Sequence, residues 1–394
     1  MSGRLVAHAA AVLEVARDLG AGRYPPFVRG GELPAGHVPV FVFHSLEPVS
    51  FERRLRFLAD NGYRTLGADE HRDVIAQRSP APEKAVVLTI DDGRGSVWSV
   101  AAPLLARFGM TAVVFLVPGR MRERPGAPLP DLDQPDADTA LVAGRDDGEH
   151  GLLYWEEVET LSRRGLDFQS HTLSHARVHT GPRLAGFVTP RDRRGYAAFD
   201  VPLLHDGDGG NLPPPSVPLG TPVFESAPRM SSARRFLEPV ACRRLCTELA
   251  AAGGGPGFFE DPAWERLLRD AFAGESPLGG GWEDEARREL ELRRELAEAR
   301  RLVESRTGRP VRHLCYPWHA SSPDAERWAL EEGYETAYAG KVAAGPITLP
   351  GGDLRAIARV SEDFLETLPG VGRVPLAAVL RRKLLRRFGG RSGA

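Results

Sequence analysis

Two adjacent carboxylates, Asp91 and Asp92, are the first chemically informative residues, and Gly93 follows them. They come directly after a short apolar run over residues 85–90. Because adjacent side chains of an extended chain point in different directions, one carboxylate could bind a metal ion while the other moves a proton. The glycine would let the chain turn sharply. A turn or a helix cap is the alternative interpretation, since Asp-Asp-Gly is common in loops.

Two histidines, His171 and His175, form a second group with a spacing of four residues. If the segment is helical, this spacing places both imidazoles on one face, where they can hold a single ion. Surface or capping histidines are the alternative. With Asp92, the two imidazoles would leave coordination positions open for water and substrate, as in catalytic metal sites. The sequence therefore predicts a metal site of Asp92, His171 and His175, with Asp91 beside it.

These residues need a frame that brings them together, and the rest of the chain predicts one. Short apolar runs alternate with helical patterns, which is typical of parallel β/α units in an open sheet or a barrel. Strands are predicted at 38–43, 85–90, 111–117, 166–170, 311–316 and 334–338. Helices are predicted at 51–58, 97–108, 156–164, 232–251, 283–306, 323–332 and 376–388. In the helix over 283–306, Leu290, Leu296 and Leu302 are candidates for the core-facing side.

Polar features follow four of the predicted strands at their carboxyl ends, where active sites of parallel β/α folds gather. They are His44, the pair Asp91-Asp92, His171 with His175, and the segment 316–319.

Several motifs resemble the NodB-type polysaccharide deacetylases. TIDDG (89–93) is similar to the family's TFDDG motif, and SHTLSH (170–175) matches its H-S/T-x-x-H motif. LCYPWHA (314–320) is similar to a later motif of the substrate groove. The resemblance extends over about residues 38–178 and 283–360 and leaves the segment between them unexplained.

The resemblance implies a fold, a metal and a set of roles. The fold would be α/β, a distorted (β/α)7 barrel of the NodB type, here with an insertion of roughly 100 residues. Asp92, His171 and His175 would bind a divalent ion, most often Zn²⁺, with Co²⁺, Ni²⁺, Fe²⁺ or Mn²⁺ as alternatives. Asp91 would be the catalytic base that activates water, and the backbone N–H of Trp318 would stabilise the oxyanion.

The sequence departs from the family pattern at two places. Cys315 occupies the position of an arginine that commonly braces the catalytic aspartate, and no late Leu-x-His motif with a general-acid histidine is present. Arg359 and Val360 stand at the end of the last strand instead. His44 and His319 are therefore the candidates for the proton donor, with substrate binding or a packing role as the alternatives.

We divide the chain into an N-terminal helix and lead-in (1–37), two barrel parts (38–179 and 283–368), an insertion (180–282) and a basic tail (369–394). The insertion could be a lid that shapes the site or a surface elaboration without contact to it. Tyr316, Trp318, Glu225 and Arg229 are predicted to bind substrate. The insertion also holds candidate specificity residues, which are Tyr196, His205, Glu225, Arg229 and Met230.

Composition restricts the classes of function. The 394 residues are 42% hydrophobic and 26% charged, with a formal net charge of −2, which predicts a large core and no nucleic-acid partner. The three cysteines are interpreted as buried or free thiols of a reducing compartment. No signal peptide or membrane span is predicted, so a cytoplasmic location is expected. The basic tail leaves contact with a membrane surface open.

The function predicted from these features is metal-dependent hydrolysis of an N-acetyl amide on an amino sugar or a small amino-sugar glycoside. Hydrolysis of another C–N bond, such as a formyl, imide or ureido group, is an alternative on the same metal site. A non-catalytic sugar-binding barrel is the second alternative, although such a protein would need no base beside its metal.

Overall fold

The computed structural model describes residues 20–125, 145–147, 150–195, 197–206, 211–212, 216–273, 280–340 and 347–388. The predicted N-terminal helix and most of the loop over 119–150 lie outside the described residues. The described lead-in contains a 3-10 turn at Pro26–Arg29.

The strands in chain order are β1 (Val40–Phe43), β2 (Arg64–Thr65), β3 (Ala85–Ile90), β4 (Val113–Leu116), β5 (Asp167–Ser170), β6 (Arg177–Phe187), β7 (Leu204–His205), β8 (Asn211–Leu212), β9 (Pro222–Pro228), β10 (Phe236–Leu237), β11 (Gly281–Trp282), β12 (His313–Cys315), β13 (Thr336–Gly340) and β14 (Ile357–Ser361). The α-helices are α1 (Pro48–Asp60), α2 (Ala68–Ile75), α3 (Ala102–Phe108), α4 (Trp155–Arg163), α5 (Ala197–Asp200), α6 (Val240–Ala252), α7 (Trp264–Ala273), α8 (Glu285–Thr307), α9 (Pro323–Glu331) and α10 (Leu376–Phe388).

Seven parallel strands close into a barrel in the order β1, β3, β4, β5, β12, β13 and β14. The ring closes because β1 pairs with both β14 and β3, with Phe41 opposite Val360 on one side and Leu88 on the other. The short strand β2 pairs with the first residues of β3. The predicted (β/α)7 barrel is thereby confirmed. The carboxyl ends of its strands meet at one end of the barrel, so the four polar features are brought to the same end.

The central strands lie where continuous apolar runs predict them, because side chains on both faces of these strands are buried. Strand β3 coincides with the predicted strand and is buried along its whole length, as expected for parallel strands covered by helices. The other predicted strands are found within two or three residues of their expected bounds, which is the usual uncertainty of strand ends. The predicted helix over 232–251 begins later, at Val240, because β10 occupies its first part.

The core-facing side of α8 differs from the prediction. Leu296 is fully buried, whereas Leu290 is 64% and Leu302 37% exposed. Six residues of α-helix advance the chain by about 600°, so the three leucines point about 120° apart. The buried stripe instead follows helical spacing and comprises Leu292, Leu296, Ala299 and Val303.

The insertion is a folded unit with a core of its own. Strands β6 and β9 form an antiparallel pair, and β6 begins at Arg177, three residues before the boundary predicted at 180. Helices α6 and α7 pack on this pair around an apolar cluster that includes Phe187, Phe224, Phe258 and Leu268. A segment rich in proline and glycine therefore carries regular structure.

The basic helix α10 packs against the end of the barrel chain. Val379 is buried in the main core, and Lys383 pairs with Asp363 at 3.0 Å. None of the described helices is long and apolar enough to cross a membrane. Cys246 and Cys315 are buried free thiols, and the reducing compartment stays a prediction.

The end of the barrel opposite the polar features contains a buried histidine, His71, whose Nδ1 lies 3.3 Å from the hydroxyl of Tyr338. Burial, together with the nearby His313 and His37, lowers the pKa of His71 from 6.5 to about 3. The unfolded chain therefore binds a proton that the folded chain excludes, and stability is lost as the pH falls from 6.5 towards 3.

We expect this loss to reach at most about 1.4 kcal/mol per pH unit from His71 alone. In the His71→Gln variant, the free energy of unfolding should fall less steeply between pH 6.5 and pH 4. Urea denaturation at a series of pH values measures the slope. A slope equal to that of the wild type would contradict the assignment.

Candidate metal centre

The turn after β3 directs Asp92 into the barrel mouth. Asp92 and Gly93 both have left-handed backbone conformations, with φ of 70° and 67°. A Cβ atom on residue 93 would lie 2.6 Å from Leu116 Cδ2 and 2.7 Å from Met121 Cε. Glycine is therefore required by the backbone conformation and by the close packing beneath the turn.

Three buried ligand atoms meet at this turn. The Nε2 atoms of His171 and His175 each lie 3.6 Å from Oδ1 of Asp92. Nδ1 of His171 lies 2.8 Å from the backbone oxygen of Cys315. Because a carbonyl oxygen only accepts hydrogen bonds, Nδ1 carries the proton. Nε2 is then unprotonated, and its lone pair is available for an ion between the three ligand atoms.

The arrangement fits a divalent ion. Oδ1 of Asp92 is buried without a hydrogen-bond partner among the described residues, whereas Oδ2 accepts from Arg94 at 3.1 and 3.2 Å. Ligand atoms about 2.0–2.1 Å from a tetrahedral zinc ion are roughly 3.4 Å apart. The spacing of 3.6 Å is close to that value, and an ion would satisfy the orphaned oxygen.

Burial alone would raise the pKa of Asp92, but the positive charge around it, that of the neighbouring Arg94 first, outweighs burial and lowers that pKa to about 2. Burial lowers the pKa of both His171 and His175. All three groups are thus held in the protonation state that binds a metal, a carboxylate with two neutral imidazoles.

The His171–His175 segment is an irregular turn, and the helix considered for it from the spacing is absent. Thr172 and His175 have φ of 62° and 55°, which a helix cannot contain. Glu295 on α8 holds the turn, because its carboxylate accepts from the backbone N–H of Ser174 at 2.9 Å and from the Ser174 hydroxyl. The two imidazoles are brought together by this turn, with no contribution from helical periodicity.

Asp91 is held by Arg359, a residue of the last strand, β14. Nη1 and Nη2 of Arg359 donate to Oδ1 and Oδ2 of Asp91 at 2.7 and 2.9 Å, and both side chains are buried. Burial would raise the pKa of Asp91, but this bidentate pair holds it well below its usual range. Cys315 Sγ lies 3.7 Å from Oδ2. Cys315 thus occupies, on β12, the position of the arginine common in the resembling family, and Arg359 on β14 braces Asp91 instead.

The two candidate proton donors lie near the pair of Asp91 and Arg359. Nε2 of His44 is 3.9 Å from Oδ2 of Asp91, and its side chain is 34% exposed. Nδ1 of His319 lies 3.4 Å from Nη2 of Arg359. Desolvation of the ring and the charge of Arg359 lower the pKa of His319 to about 3, although part of the residue is exposed at the barrel mouth. His44 is therefore the better placed of the two to deliver a proton.

Tyr316 and Trp318 follow β12 at the mouth. Tyr316 is buried, and burial raises the pKa of its phenol well above the usual range. Trp318 has a φ of 51°, and its ring contacts the ring of His175 with centroids 4.1 Å apart. Arg177 is the first residue of β6, on the insertion side. Its guanidinium lies 5.1 Å from the centroid of the Trp318 ring.

The insertion residues predicted to contact substrate have partners inside the protein. Glu225 pairs with Arg183 on the exposed face of the β6–β9 pair, at 2.7 Å. Arg229 forms a buried ion pair with Glu283. Met230 is buried, His205 contacts the backbone oxygen of Glu238, and Tyr196 lies outside the described residues. A substrate role for Glu225 and Arg229 stays a prediction.

Residues 78–189 match the family model described as polysaccharide deacetylase. This range contains Asp91, Asp92, His171 and His175.

Known relatives carry related names. YxkH of Bacillus subtilis strain 168, which is named among the polysaccharide deacetylases, is 26% identical over 38% of this chain and 46% of its own length. Poly-beta-1,6-N-acetyl-D-glucosamine N-deacetylase of Escherichia coli K12 is 29% identical over 33% of this chain and 18% of its own length. The chain thus spans less than half the length of these relatives. The solved deacetylase domain of BpsB from Bordetella bronchiseptica has a TM-score of 0.47 at 17% identity, covering 83% of this chain and 96% of that one.

The buried pair of Asp91 and Arg359 generates a prediction about stability. The Arg359→Met variant should lower the free energy of unfolding by about 3–5 kcal/mol, because it leaves a buried carboxylate unpaired. In an Asp91→Asn background the same change should cost less, by about 0.5–3 kcal/mol. Denaturant titrations of the four proteins in this cycle measure the difference.

Arg183→Met is the matched control, since it breaks an arginine–carboxylate pair with Glu225 in which the arginine is 77% exposed. It should cost no more than about 1 kcal/mol. Additive effects of Arg359→Met and Asp91→Asn would contradict the proposed coupling.

Proposed function

Because the chain belongs to the NodB-type polysaccharide deacetylases, we propose that it hydrolyses the N-acetyl amide of an amino sugar in a metal-dependent reaction. The observation that carries the proposal is the meeting of two different carboxylates at one end of the barrel. Oδ1 of Asp92, which has no hydrogen-bond partner in the part of the chain that the structure describes, faces two imidazole nitrogens, while Asp91 is held apart by Arg359. A protein that only binds sugar could use an ion held by Asp92 and the two imidazoles, but it would not need Asp91 as a base beside that ion.

Asp92, His171 and His175 would hold the ion, and Zn²⁺ is the most suitable choice for one carboxylate and two imidazoles. Co²⁺, Ni²⁺, Fe²⁺ and Mn²⁺ are the alternatives. When bound, the ion would supply a Lewis acid that polarises the acyl carbonyl and makes a water molecule more acidic.

Asp91 would accept the proton of the attacking water. Arg359 donates to both oxygens of this carboxylate, which keeps it ionised and fixes its orientation. The proton would then have to reach the departing amine, and His44 at 3.9 Å from Asp91 is the side chain placed to deliver it. Trp318, whose backbone N–H we predict to bind the oxyanion, lies beside His175.

A small amino-sugar glycoside is the proposed substrate. The name of the Escherichia coli relative, a polymer N-deacetylase, supports the acetyl group and the amino sugar. The smaller substrate and the cytoplasmic location are predictions from the sequence. Hydrolysis of another C–N bond would use the same residues and differs only in the product.

Substitution of Asp91 and of Asp92 should have different effects on metal content. Asp91→Asn should keep the metal content of the wild type but lower the hydrolysis rate at least about 100-fold, because the base is lost. Asp92→Asn should lose both the bound metal and the hydrolysis activity, because it removes a metal ligand. Metal content is measured by elemental mass spectrometry, and hydrolysis by a loss of about 42 Da from a panel of N-acetylated sugars and glycosides.

The proposal fails if the wild type binds no ion when it is incubated with the metal, or if Asp91→Asn matches it on every amide tested. No loss of mass from any N-acetylated compound, together with hydrolysis of an N-formyl or ureido analogue, would favour the alternative C–N hydrolase.

The second prediction concerns the proton donor. His44→Asn should lower the rate on N-acetyl sugars by about 10²–10⁴-fold, and the matched variant His319→Asn should lower it less. Neither should slow the hydrolysis of p-nitrophenyl acetate much, because p-nitrophenolate leaves without a proton. Equal effects of both variants on the sugar amide would reject His44 as the specific donor.

A further inference from the structure

The two candidate histidine ligands are oriented in different ways. Nδ1 of His171 is tied to the backbone oxygen of Cys315. Nδ1 of His175 is buried and has no hydrogen-bond partner among the described residues. A metal-binding histidine almost always uses its second nitrogen to fix the ring, so the orientation of His175 requires another cause.

Two aromatic rings enclose His175. The centroid of Phe199 lies 4.7 Å from that of His175, with the ring planes at 68°, and Trp318 lies 4.1 Å away at 58°. Phe199 is 5% exposed and belongs to the short helix α5 of the insertion. Edge-to-face and tilted contacts at these distances are attractive and directional, so they restrict rotation of the imidazole.

Phe199 is itself held by two arginines of the barrel. The guanidinium of Arg120 lies 4.4 Å and that of Arg94 5.0 Å from the centroid of the Phe199 ring. Nη1 of Arg120 donates to the backbone oxygen of Ala198 at 2.8 Å, and its Nε donates to that of Ser174 at 2.9 Å. Arg120 therefore connects α5 of the insertion to the turn that carries His175.

From these contacts we propose that the insertion is part of the metal centre, because Phe199, held by Arg120, positions His175 for the ion. Phe199 is a positioning residue and takes no part in the chemistry. The proposal rests on the metal ligation proposed above and is independent of the substrate. It assigns the insertion a role in metal affinity, in addition to any effect on substrate access.

Metal affinity of the folded apoprotein tests the proposal. In the Phe199→Leu variant an apolar side chain remains, but the flat ring and its contacts with the guanidinium groups are lost. We expect the Kd for Zn²⁺, measured by competition with a chromophoric chelator, to rise about 10–100-fold, as for other residues that orient a metal ligand. The visible spectrum of the Co²⁺ form should change, because the position of His175 changes.

Phe258→Leu is the matched control. Phe258 is buried in the separate core of the insertion, so the same substitution there perturbs the insertion without contacting His175. It should leave the Zn²⁺ affinity and the Co²⁺ spectrum unchanged. Arg120→Met should weaken Zn²⁺ binding in the same direction as Phe199→Leu.

The outcomes distinguish this inference from the proposed function. If wild type binds Zn²⁺ and His175→Ala binds it weakly, but folded Phe199→Leu keeps the wild-type Kd and Co²⁺ spectrum, the positioning role is overturned. An equal loss in Phe258→Leu would also overturn it, because the effect would then come from the insertion fold. Absence of Zn²⁺ binding in the wild type would overturn the metal centre itself.

Discussion

Two carboxylates must remain ionised inside the barrel mouth, and much of the structure around them serves this requirement. A buried charge is costly unless a partner of opposite charge lies in contact with it. Asp91 receives Arg359 from β14, and Asp92 receives Arg94 from the turn that follows it. The two arginines leave different atoms available, since Arg94 covers one oxygen of Asp92 whereas Arg359 covers both oxygens of Asp91. The difference in pairing separates a carboxylate for binding an ion from one for handling a proton.

The barrel and the main site residues were predictable from the sequence because both follow local rules. Continuous apolar runs fix the buried parallel strands, and the residues directly after β3 and β5 must share one end of the barrel. The role of Arg359 was not predictable from local patterns, because its contact with Asp91 joins residues 268 positions apart. The signal available was its place in the last strand, where a buried arginine requires a carboxylate partner.

Two interpretations based on residue spacing do not hold in full, each for a physical reason. The spacing of His171 and His175 is compatible with a helix, but the carboxylate of Glu295 binds the turn between them and stabilises left-handed residues instead. The leucines chosen on α8 were spaced by six residues, which does not follow a helical face. The secondary structure of the insertion was difficult to predict from the sequence for another reason. Its proline and glycine content is typical of loops, and its β6–β9 pairing joins residues far apart in the chain, from Phe187 with Pro222 to Arg177 with Pro228.

The closure of the barrel by β14 also has a consequence for synthesis on the ribosome. Asp91 emerges long before its partner, and at translation rates of about 5–20 residues per second the 268 intervening residues take roughly 15–50 s. Until then, a carboxylate destined for burial has no cation and favours hydration. Burial of Asp91 is unfavourable before its cation is available, so completion of the barrel wall and of the site depends on the same late strand.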